Sequence, residues 1–567
     1  MNNSNKKYHD QINHSIYNGK ICFVGVFEKR ITVYSQQVRS LNLIHSLSKI
    51  NILKKESKVA IIGGGVAGLT ISRACSHKGC QLIDLYEQGN QFIGIWKNSK
   101  QRWISPHIFH WPYEGWEIES TDLPFLNWVE GDAIDVANQI LEQWYLGYDY
   151  YKESSNFNIF FGSNAIVLEN GDVFVNNKTK NNYDLIFICV GYGFDGIANN
   201  YQTSYWADDN LDSIQKRSNK IFLSGAGDGA ISDLLRLSIS TYSKGYLKKL
   251  LNSDEFISIS KRLIEIEDEA FSIQITKGED KVSEFLENSY KSIETPEFNT
   301  YIILRNDTLV YFHTRSKNIY SLKSFPLNRF LLSRILNMQD NNIIHLCGKI
   351  NNFNSLVTDA SSGKKVIRLN ESEIEVDKLI IRHGSKSPLS ASGFNWIRDL
   401  KVEDKLRILN SLDQTGIHPI WDKEDFQEIK PLSIISQEHS IVKIAVAIVH
   451  NPKNNKYLIA KRKISEGKFV WGFISKRIRP SIFTKQEIEL ECLEETNISC
   501  NVKRLIGSRI HPITNKYISY YYCEYESGKA IVKDKNELSL VKWMKPKEII
   551  ELIGSQLYRP IFNIMDS

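Results

Sequence analysis

The stretch KVAIIGGGVAGLTISRA, residues 58–74, predicts a short buried β-strand that runs through a glycine-rich turn into a helix. In such a turn Gly63 makes the sharp bend, Gly65 lets the backbone approach a pyrophosphate, and Gly68 lets the helix pack closely on the strand. The first turn of the helix offers unpaired N–H groups to phosphates. The stretch therefore predicts a dinucleotide site, and the alternative is a glycine-rich turn that binds nothing.

A single acidic residue stands at the distance that this prediction requires. The apolar run 81–86 reads as the next strand, and it ends in Glu87, nineteen residues after Gly68. A carboxylate at that place can accept hydrogen bonds from a ribose diol. Strand, turn, helix, strand and acid in this order indicate dinucleotide binding more strongly than the glycines alone.

The chain contains a second turn of the same kind. Residues 220–224 predict a strand, and the following GAGDGA places Gly225 and Gly227 at the glycine positions and Ala230 at the third small position. Asp228 is an acid beside the expected pyrophosphate and would have to point away from it. No acid that closes this second unit is identifiable. A second nucleotide site and a structural turn without a ligand both fit this pattern.

Two apolar segments that end in glycine match each other. DLIFICVG, residues 184–191, and DKLIIRHG, residues 377–384, share one pattern of aspartate, six residues and glycine. Each follows a segment suited to a β-meander. Two glycine-rich turns and two such closing strands predict nested α/β domains, with the second inserted into the first.

Residues 56 to about 390 resemble the flavoproteins with two dinucleotide-binding domains, the group of flavin monooxygenases and related pyridine-nucleotide oxidoreductases. The resemblance implies a Rossmann-like FAD domain, residues 56–200 and 340–395, with a second Rossmann-like NAD(P)-binding domain, residues 201–339, inserted into it. To FAD it assigns Gly63, Gly65, Gly68, Glu87 and Trp96. To NAD(P)H it assigns Gly225, Gly227 and Ala230.

One departure from this group concerns the reaction. The histidine-containing signature that classical monooxygenases carry before the second glycine turn is absent from residues 201–209. The fold assignment does not depend on that signature. Hydroxylation therefore does not follow, and the oxidised substrate stays open.

An unusually aromatic stretch follows the first dinucleotide-binding unit. Residues 102–113 hold four aromatic side chains, two histidines and two prolines. They would line a flavin or substrate pocket, or they form a buried loop whose histidines are paired structurally. The sequence leaves both interpretations open.

An extension, residues 1–55, precedes the first predicted strand of the FAD domain. Residues 21–24 and 31–34 predict a hairpin, and a helix is expected to begin after an N-cap at Ser35. The extension would then form an extra layer over the flavin domain. A role in cofactor binding for Gln36, Gln37 or Arg39, in the first turns of that helix, stays an open hypothesis.

A linker, residues 396–440, is expected to lead to a C-terminal α+β domain, residues 441–567. A helix over residues 484–496 places Glu491, Glu494 and Glu495 on one face. Like charges at this spacing oppose a helix by a few tenths of a kcal/mol per pair, so a cation or a basic partner would explain them. Clustered carboxylate oxygens suit Mg²⁺, and a solvated acidic face is the alternative.

The segment from Trp471 to Ile498 resembles the Nudix box of nucleoside-diphosphate-linked hydrolases, without gaps. By this resemblance Glu494 and Glu495 would bind the metal, and Glu491 would act as the catalytic base or its partner. Four box positions differ from the family pattern, namely Lys476, Ile482, Leu490 and Asn497. These changes favour a domain that binds or senses a nucleotide, or packs on the flavoprotein, over one that hydrolyses a nucleotide.

The composition limits the other classes of function. A net charge of +6 spread over 567 residues, without a compact basic block, does not indicate nucleic-acid binding. The polar start of the chain lacks the apolar core of a signal peptide, and no apolar run is long enough for a membrane span. Eight cysteines without a C-x-x-C pair are typical of free thiols in a cytoplasmic protein.

Three functions remain for these patterns. The first is an FAD-dependent oxidoreductase that uses NAD(P)H on a small-molecule substrate and carries a Nudix-like domain. The second is a nucleotide sensor without redox turnover. The third is a Mg²⁺-dependent Nudix pyrophosphohydrolase that the flavoprotein part regulates.

Overall fold

The computed structural model describes residues 3–25, 30–151, 156–176, 178–180, 183–191, 204–209, 211, 219–240, 242, 244–295, 298–338, 342–350, 356–359, 363–369, 372–384, 394–398, 400, 418–426, 443–466, 469–478, 485–510, 517–553 and 557–566. The chain forms two compact units. The first consists of Met1–Glu119, Asp132–Ile134 and Gly147–Phe426, and the second of Ser120–Gly131, Asp135–Leu146 and Gln427–Ser567. The division after Phe426 lies within the predicted linker, whereas two short segments of the expected FAD domain belong to the second unit.

Up to residue 426 the chain forms eighteen strands and eleven helices among the described residues. The strands are β1 (Ile16–Tyr17), β2 (Ile21–Phe23), β3 (Lys58–Ile62), β4 (Leu82–Tyr86), β5 (Trp103–Ile104), β6 (Gly131–Asp132), β7 (Phe157–Phe160), β8 (Ala165–Val167), β9 (Val173–Val175), β10 (Lys178–Lys180), β11 (Leu185–Ile188), β12 (Asn219–Ser224), β13 (Thr308–Thr314), β14 (Ile343–Cys347), β15 (Val357–Asp359), β16 (Lys365–Leu369), β17 (Ser372–Val376) and β18 (Lys378–Ile381). The helices are α1 (Asn3–Asn13), α2 (Val33–Lys49), α3 (Val66–His77), α4 (Ala133–Tyr151), α5 (Asp228–Ser238), α6 (Lys244–Leu251), α7 (Asp254–Lys277), α8 (Glu279–Lys291), α9 (Phe298–Tyr301), α10 (Pro326–Asn337) and α11 (Asn395–Arg398).

The first unit contains a six-stranded sheet with the order β1-β2-β11-β3-β4-β7. All neighbours are parallel except β1 and β2. Helix α2 connects β2 to β3, and α3 connects β3 to β4, so both helices start at the carboxyl edge of the sheet. Burial on both faces explains why β3 and β11 are continuous apolar runs.

The predicted hairpin of the extension is wrong in one strand. Strand β2 pairs antiparallel with β1, residues 16–17, and not with residues 31–34. Thr32 is instead the N-cap of α2, because its hydroxyl accepts from the Ser35 N–H and the Ser35 hydroxyl accepts from the Thr32 N–H. The extension is therefore an added β–α unit of the first sheet.

A second sheet in the same unit has the order β14-β13-β12-β18, and all its strands are parallel. The helices α6 to α9 lie in the chain between α5 and β13. The meander β15–β17 precedes β18, as the meander β8–β10 precedes β11. Both predicted closing strands thus lie beside the strand that leads into a glycine-rich turn.

These pairings move one predicted domain boundary. Strands β14 and β18 pair in the second sheet, so most of residues 340–395 does not belong to the FAD sheet as expected. The chain returns to the first sheet only afterwards. Phe394 and Ile397 pack in the first core, and the Trp396 indole donates to the Val167 carbonyl at 2.7 Å. The chain therefore leaves the first sheet after β11 and returns to its core after β18, and the division into an FAD domain and an inserted NAD(P) domain stays a prediction.

The second unit is built on a seven-stranded mixed sheet. Its strands are β19 (Lys443–Asn451), β20 (Lys456–Glu466), β21 (Phe469–Gly472), β22 (Ile474–Ile478), β23 (Ser499–Ile510), β24 (Tyr517–Ser527) and β25 (Leu538–Met544). Its helices are α12 (Lys485–Thr496), α13 (Pro546–Ile553) and α14 (Arg559–Asp566). Apolar residues of α12 cover one face of the sheet, and those of α13 and α14 pack in a separate core. The predicted helix and hairpin of this domain are confirmed within a few residues.

Candidate functional site

The first glycine-rich turn brings three neighbouring strand ends together. Gly63 has a φ of +109°, and a Cβ atom there would lie 2.6 Å from the carbonyl oxygen of Cys189, just after β11. A Cβ atom on Gly68 would lie 1.9 Å from the Gly63 carbonyl oxygen. Glycine is required at both positions because the backbones of the turn, α3 and β11 approach each other too closely for any side chain.

Gly65, by contrast, faces open space. It is the N-cap of α3 with no side-chain cap, and a Cβ atom there would have no neighbour within 4 Å. The N–H groups in the first turn of α3 therefore have no side-chain cap and face the open space beside Gly65, which we call the cradle of the first turn. This is the geometry that an anionic phosphate group fits.

Glu87 lies next to this cradle, after β4. Its carboxylate accepts from the N–H of Gly64 and from the N–H of Gly89, both at 2.6 Å. These two bonds fix the carboxylate and use about half of its acceptor positions. The remaining lone pairs are available to a diol.

The second glycine-rich turn repeats the backbone arrangement. Gly225 has a φ of +141°, and a Cβ atom there would lie 2.3 Å from the carbonyl oxygen of Arg382, just after β18. Gly227 is the uncapped N-cap of α5 and faces open space. Ala230 is buried in the first turn of α5, so the second turn accommodates a methyl group at the position where the first turn requires Gly68.

Asp228 points away from the second cradle, as the prediction required. Its carboxylate accepts from the Phe325 N–H at 2.9 Å and from the Asn328 amide at 2.8 Å, at the start of α10. Burial raises the pKa of this carboxyl group, and the two hydrogen bonds oppose the rise. Asp228 thus caps α10 and does not repel a phosphate.

The end of β13 occupies the place in the second sheet that Glu87 occupies in the first. No acid stands there, and the exposed residues Arg315, Ser316 and Lys317 follow the strand. The hydroxyl of Thr314 donates to the Ser316 carbonyl, which turns these three residues outward. Neither Arg315 nor Lys317 has an ion pair with any residue that the structure describes. The second sheet therefore offers the donor side chains of residues 315–317 at the place where the first sheet offers the Glu87 carboxylate as an acceptor.

An ion cluster near the second turn fixes the chain between the two sheets. Asp233 of α5 is fully buried, and its carboxylate contacts Arg102 at 2.6 Å and Arg382 at 2.8 Å. The Arg102 guanidinium also stacks 3.9 Å from the ring centre of Tyr205, and that ring packs on Gly229. This cluster could not be predicted from the sequence, because Arg102 and Arg382 each lie more than 100 residues from Asp233 along the chain.

Trp96 lies in the segment that follows Glu87. Its ring is half-buried and lies 6.1 Å from the ring of Trp206, ahead of β12. Nearby, the Asp208 carboxylate accepts from the N–H groups of Lys100 and Gln101. The structure therefore places Trp96 between the two α/β regions, and its assignment to FAD stays a prediction.

The aromatic stretch 102–113 packs in two directions, and its role in a flavin or substrate pocket stays a prediction. Trp111 is buried in the core of the second α/β region, and Phe109 stacks on Phe325 at 4.5 Å between ring centres. On the other side His107 lies 4.5 Å from the ring of Tyr34 and 5.4 Å from the ring of His110. Burial lowers the pKa of His110, so this imidazole is neutral at pH 7.

In the second unit Lys476 contacts one of the predicted catalytic acids. Its ammonium nitrogen lies 2.8 Å from Glu491 Oε2, with both side chains largely buried. Lys476 lies on β22 and Glu491 on α12. The residue that replaces the first glycine of the Nudix box thus neutralises the acid that the box would use.

The other two predicted acids point in different directions. Glu494 is exposed, whereas Glu495 is buried near Glu491 and Glu537. Burial, together with the charges of those two neighbours, raises the pKa of Glu495 to about 7. The structure brings Glu491 and Glu495 together and leaves Glu494 outside.

A salt bridge occupies one of the three predicted acids. Glu491 is paired with the ammonium group of Lys476, so its carboxylate is not free to bind a cation while that pair is closed. Among the described residues, no group of three or more His, Cys, Asp or Glu side chains is arranged to hold a metal ion. The sequence pattern alone could not reveal this contact between Lys476 and Glu491.

Comparisons with known proteins were made for the whole chain. No protein-family model matches it, and no curated protein matches it. Among solved structures, a Nudix hydrolase from Nitrosomonas europaea is 17% identical, with 23% of this chain and 73% of that chain covered and a TM-score of 0.21. A MutT protein from Methanosarcina mazei Go1 is 20% identical, with 23% and 94% covered and a TM-score of 0.19.

The chain is similar to Nudix proteins over about a quarter of its length. A UDP-X diphosphatase is a further example, 15% identical over 28% of this chain and 75% of that chain, with a TM-score of 0.17. These scores carry no argument about activity.

In the part of the chain that the structure describes, no helix is long and apolar enough to cross a membrane. All eight cysteines are free thiols, as expected.

Proposed function

We propose that this protein is an FAD-dependent oxidoreductase that uses NAD(P)H, with FAD on the first glycine-rich turn and the nicotinamide dinucleotide on the second. The supporting observation is the pair of parallel sheets in one unit, each with an uncapped helix N-terminus beside an open glycine. When bound, FAD supplies the transfer of hydride equivalents between nicotinamide and substrate. The residues of the chain bind and orient the two cofactors.

The first turn fits the ADP half of FAD. The N–H groups at the start of α3 would receive the pyrophosphate, and Gly65 leaves the space that it needs. Glu87, held by two backbone N–H groups, would accept from the adenosine ribose. Each of these contacts uses a group that the fold already holds in place.

The second turn fits a nucleotide with a phosphate on its adenosine ribose. Arg315, Ser316 and Lys317 stand where an acid would bind a ribose diol, and their donors match a phosphate monoester. We therefore propose NADPH as the preferred reductant over NADH. A protein that only senses nucleotides, without redox turnover, would bind the same ligands and is the alternative function.

We propose that the Nudix-like second unit does not hydrolyse nucleotides with a metal. The ammonium of Lys476 pairs with Glu491, the acid expected to serve the catalysis. The pyrophosphohydrolase hypothesis would need this pair to open before Glu491 could act as a base or assist the metal ligands. The flavoprotein hypothesis does not depend on it.

The first experiment is the absorption spectrum of the purified full-length protein. We expect a flavin band near roughly 450 nm that bleaches when NADPH is added without oxygen. A flavin band that no reduced nicotinamide bleaches would support the sensor. A colourless protein that cannot be reconstituted with FAD would contradict the flavoprotein proposal.

The second experiment measures Mn²⁺ binding by the full-length protein and by Lys476→Met, using the spectrum of free Mn²⁺. We expect weak binding in the wild type and at least about tenfold tighter binding in the variant, since one carboxylate loses its ammonium partner. Lys503→Met is the matched control, because Lys503 pairs with Glu524 on the exposed surface of the same unit. Tight binding and Mg²⁺-dependent cleavage of NADH, FAD or ADP-ribose by the wild type would restore the hydrolase hypothesis.

A further inference from the structure

We infer that α2, in the extension before the first glycine-rich turn, supplies the binding site for the flavin ring, with the side-chain carbonyl of Gln36 accepting from the ring's imide N–H and Tyr34, His107 and His110 forming its aromatic wall. The inference rests on the proposed FAD site. It assigns a ligand contact to residues outside the glycine-rich turn.

The direction of the bound dinucleotide follows from the sheet order. Glu87 after β4 marks the adenosine end, and the N-terminus of α3 after β3 marks the pyrophosphate. Strands β4, β3, β11 and β2 lie side by side in that order. The second half of the dinucleotide must therefore extend over β11 toward β2, where α2 begins.

Helix α2 overhangs this edge of the sheet. The hydroxyl of Ser40 lies 3.4 Å from the carbonyl oxygen of Ala67, so the eighth residue of α2 is level with the second residue of α3. Six further residues of α2 therefore project past the N-terminus of α3, a distance of about 9 Å at 1.5 Å per residue. Tyr34 and Gln36 lie in this overhang.

Gln36 carries a buried acceptor without a partner. Its side chain lies against Gly25 at the end of β2, where a Cβ atom would be only 2.1 Å from the amide nitrogen. The residue is 8% exposed, and its Oε1 has no hydrogen-bond partner among the residues that the structure describes. A buried amide oxygen left unpaired costs about 1–3 kcal/mol, so a ligand donor at this place would recover that loss. The imide N–H of a flavin ring is such a donor.

Three aromatic side chains lie together at the first turn of α2. The ring of Tyr34, in that turn, lies 4.5 Å from His107 and 6.4 Å from His110. Tyr34 and His107 are buried, and the lowered pKa of His110 keeps this wall uncharged near neutral pH. The charged groups near His110 include His418, which opposes its protonation. The first turns of α2 thus combine a neutral aromatic wall with the Gln36 amide, and a flavin ring combines an aromatic face with one imide edge.

The test compares FAD with ADP as ligands of the full-length apoprotein. ADP contains only the half that the glycine-rich turn would bind, so it reports on that half alone. We expect Gln36→Leu to weaken FAD about tenfold, the value of one buried hydrogen bond, and to leave ADP unchanged. Gln36→Glu, which keeps the acceptor and the size, should bind FAD more tightly than Gln36→Leu and serves if the leucine variant is unstable.

Ser40→Ala is the control for loosened packing of α2, because it removes a buried hydroxyl that donates to the Gln36 carbonyl and lies 3.4 Å from the Ala67 carbonyl of α3. Any effect that it has through α3 should be equal for FAD and ADP. His107→Phe should shift the absorption band of bound flavin without changing ADP affinity. Wild-type affinity of Gln36→Leu for both ligands, or an equal loss of both, would overturn the inference. A wild-type protein that binds neither ligand would instead overturn the proposed function.

Discussion

The two glycine-rich turns share their backbone and differ where a ligand would lie. Gly63 and Gly225 both adopt a positive φ and both press against the carbonyl of a neighbouring closing strand, at 2.6 and 2.3 Å for an added Cβ atom. The next strand, however, ends in Glu87 in the first sheet and runs into Arg315 in the second. Turn geometry is therefore a requirement of the fold, whereas the strand end that follows it is where our proposal places the choice of nucleotide.

The largest expected effect is a loss of ligand affinity at the two turns without a loss of thermal stability. Gly65→Asp and Gly227→Asp introduce a favoured N-cap residue at positions with open space, so neither should lower the melting temperature. The new carboxylate would repel a pyrophosphate. We expect Gly65→Asp to lose FAD affinity by more than about 100-fold. Gly227→Asp should keep FAD and lose reduction by NADPH.

The asparagine variants at the same two positions are the controls, because they match aspartate in size without its charge. They should lose less affinity. If Gly65→Asp abolished reduction by NADPH while FAD stayed bound, the assignment of the two turns would be reversed.

The next effect concerns the strand ends. Arg315→Glu replaces a phosphate donor with an acid like that of the first sheet, and it should lower the ratio of NADPH to NADH efficiency by about 10- to 100-fold. The ratio of 2′,5′-ADP to 5′-ADP affinity should fall in parallel, which gives a readout that needs no turnover. Lys323→Met removes a charge that is already paired with Glu279 and should change neither ratio. An unchanged preference in Arg315→Glu would show that the strand ends do not set the nucleotide.

A smaller effect tests why the third small position is Gly68 in the first turn and Ala230 in the second. Gly68→Ala places a methyl group 1.9 Å from a backbone oxygen and should destabilise the first unit by about 1–3 kcal/mol. Ala230→Gly removes a buried methyl group from a helix and should cost about 1–2 kcal/mol. Thermal unfolding measures both. Stabilisation by Gly68→Ala would show that the two turns pack alike.

The smallest effect is the pH dependence of Asp228, which has no counterpart in the first turn. Because burial raises the folded pKa of this acid above its unfolded value of 3.8, its ionisation disfavours the folded state. Its contribution to stability is greatest below that value and falls as the pH rises through the raised folded pKa. Asp228→Asn keeps the acceptor for the Phe325 N–H and should flatten this part of the stability profile. An unchanged profile would mean that the carboxyl group titrates normally.

Much of the fold was predictable because it depends on short-range order. The strand, turn and helix around Gly63 and Gly225 need only neighbouring residues, and the burial of β11 and β18 appears in their apolar runs. The partner of β18 was not predictable. Its pairing with β12 is a long-range contact, and its pattern is the same as that of β11. The predicted boundary at residue 340 was wrong for this reason.

The residues of the candidate sites likewise fall into those that spacing along the chain predicts and those that only packing brings together. Gly65, Gly227 and Glu87 follow from spacing along the chain, because the atoms that would bind a phosphate or a ribose belong to one local turn and the next strand. Lys476 follows β21 by a few residues, yet its contact with Glu491 requires β22 and α12 to pack together. A lysine at a glycine position was a visible signal, but the sequence did not show which acid it would meet.

The sequence by itself determined where the backbone must turn and where an anionic ligand can approach it, since glycine at a positive φ and an uncapped helix start are properties of a few consecutive residues. The tertiary structure alone decided what surrounds those turns. It brought Asp228 to the start of α10, Asp233 between arginines, and the buried amide of Gln36 to the edge of the first sheet. Side chains far apart in the chain meet only through packing, and that packing sets their charge, burial and hydrogen bonds.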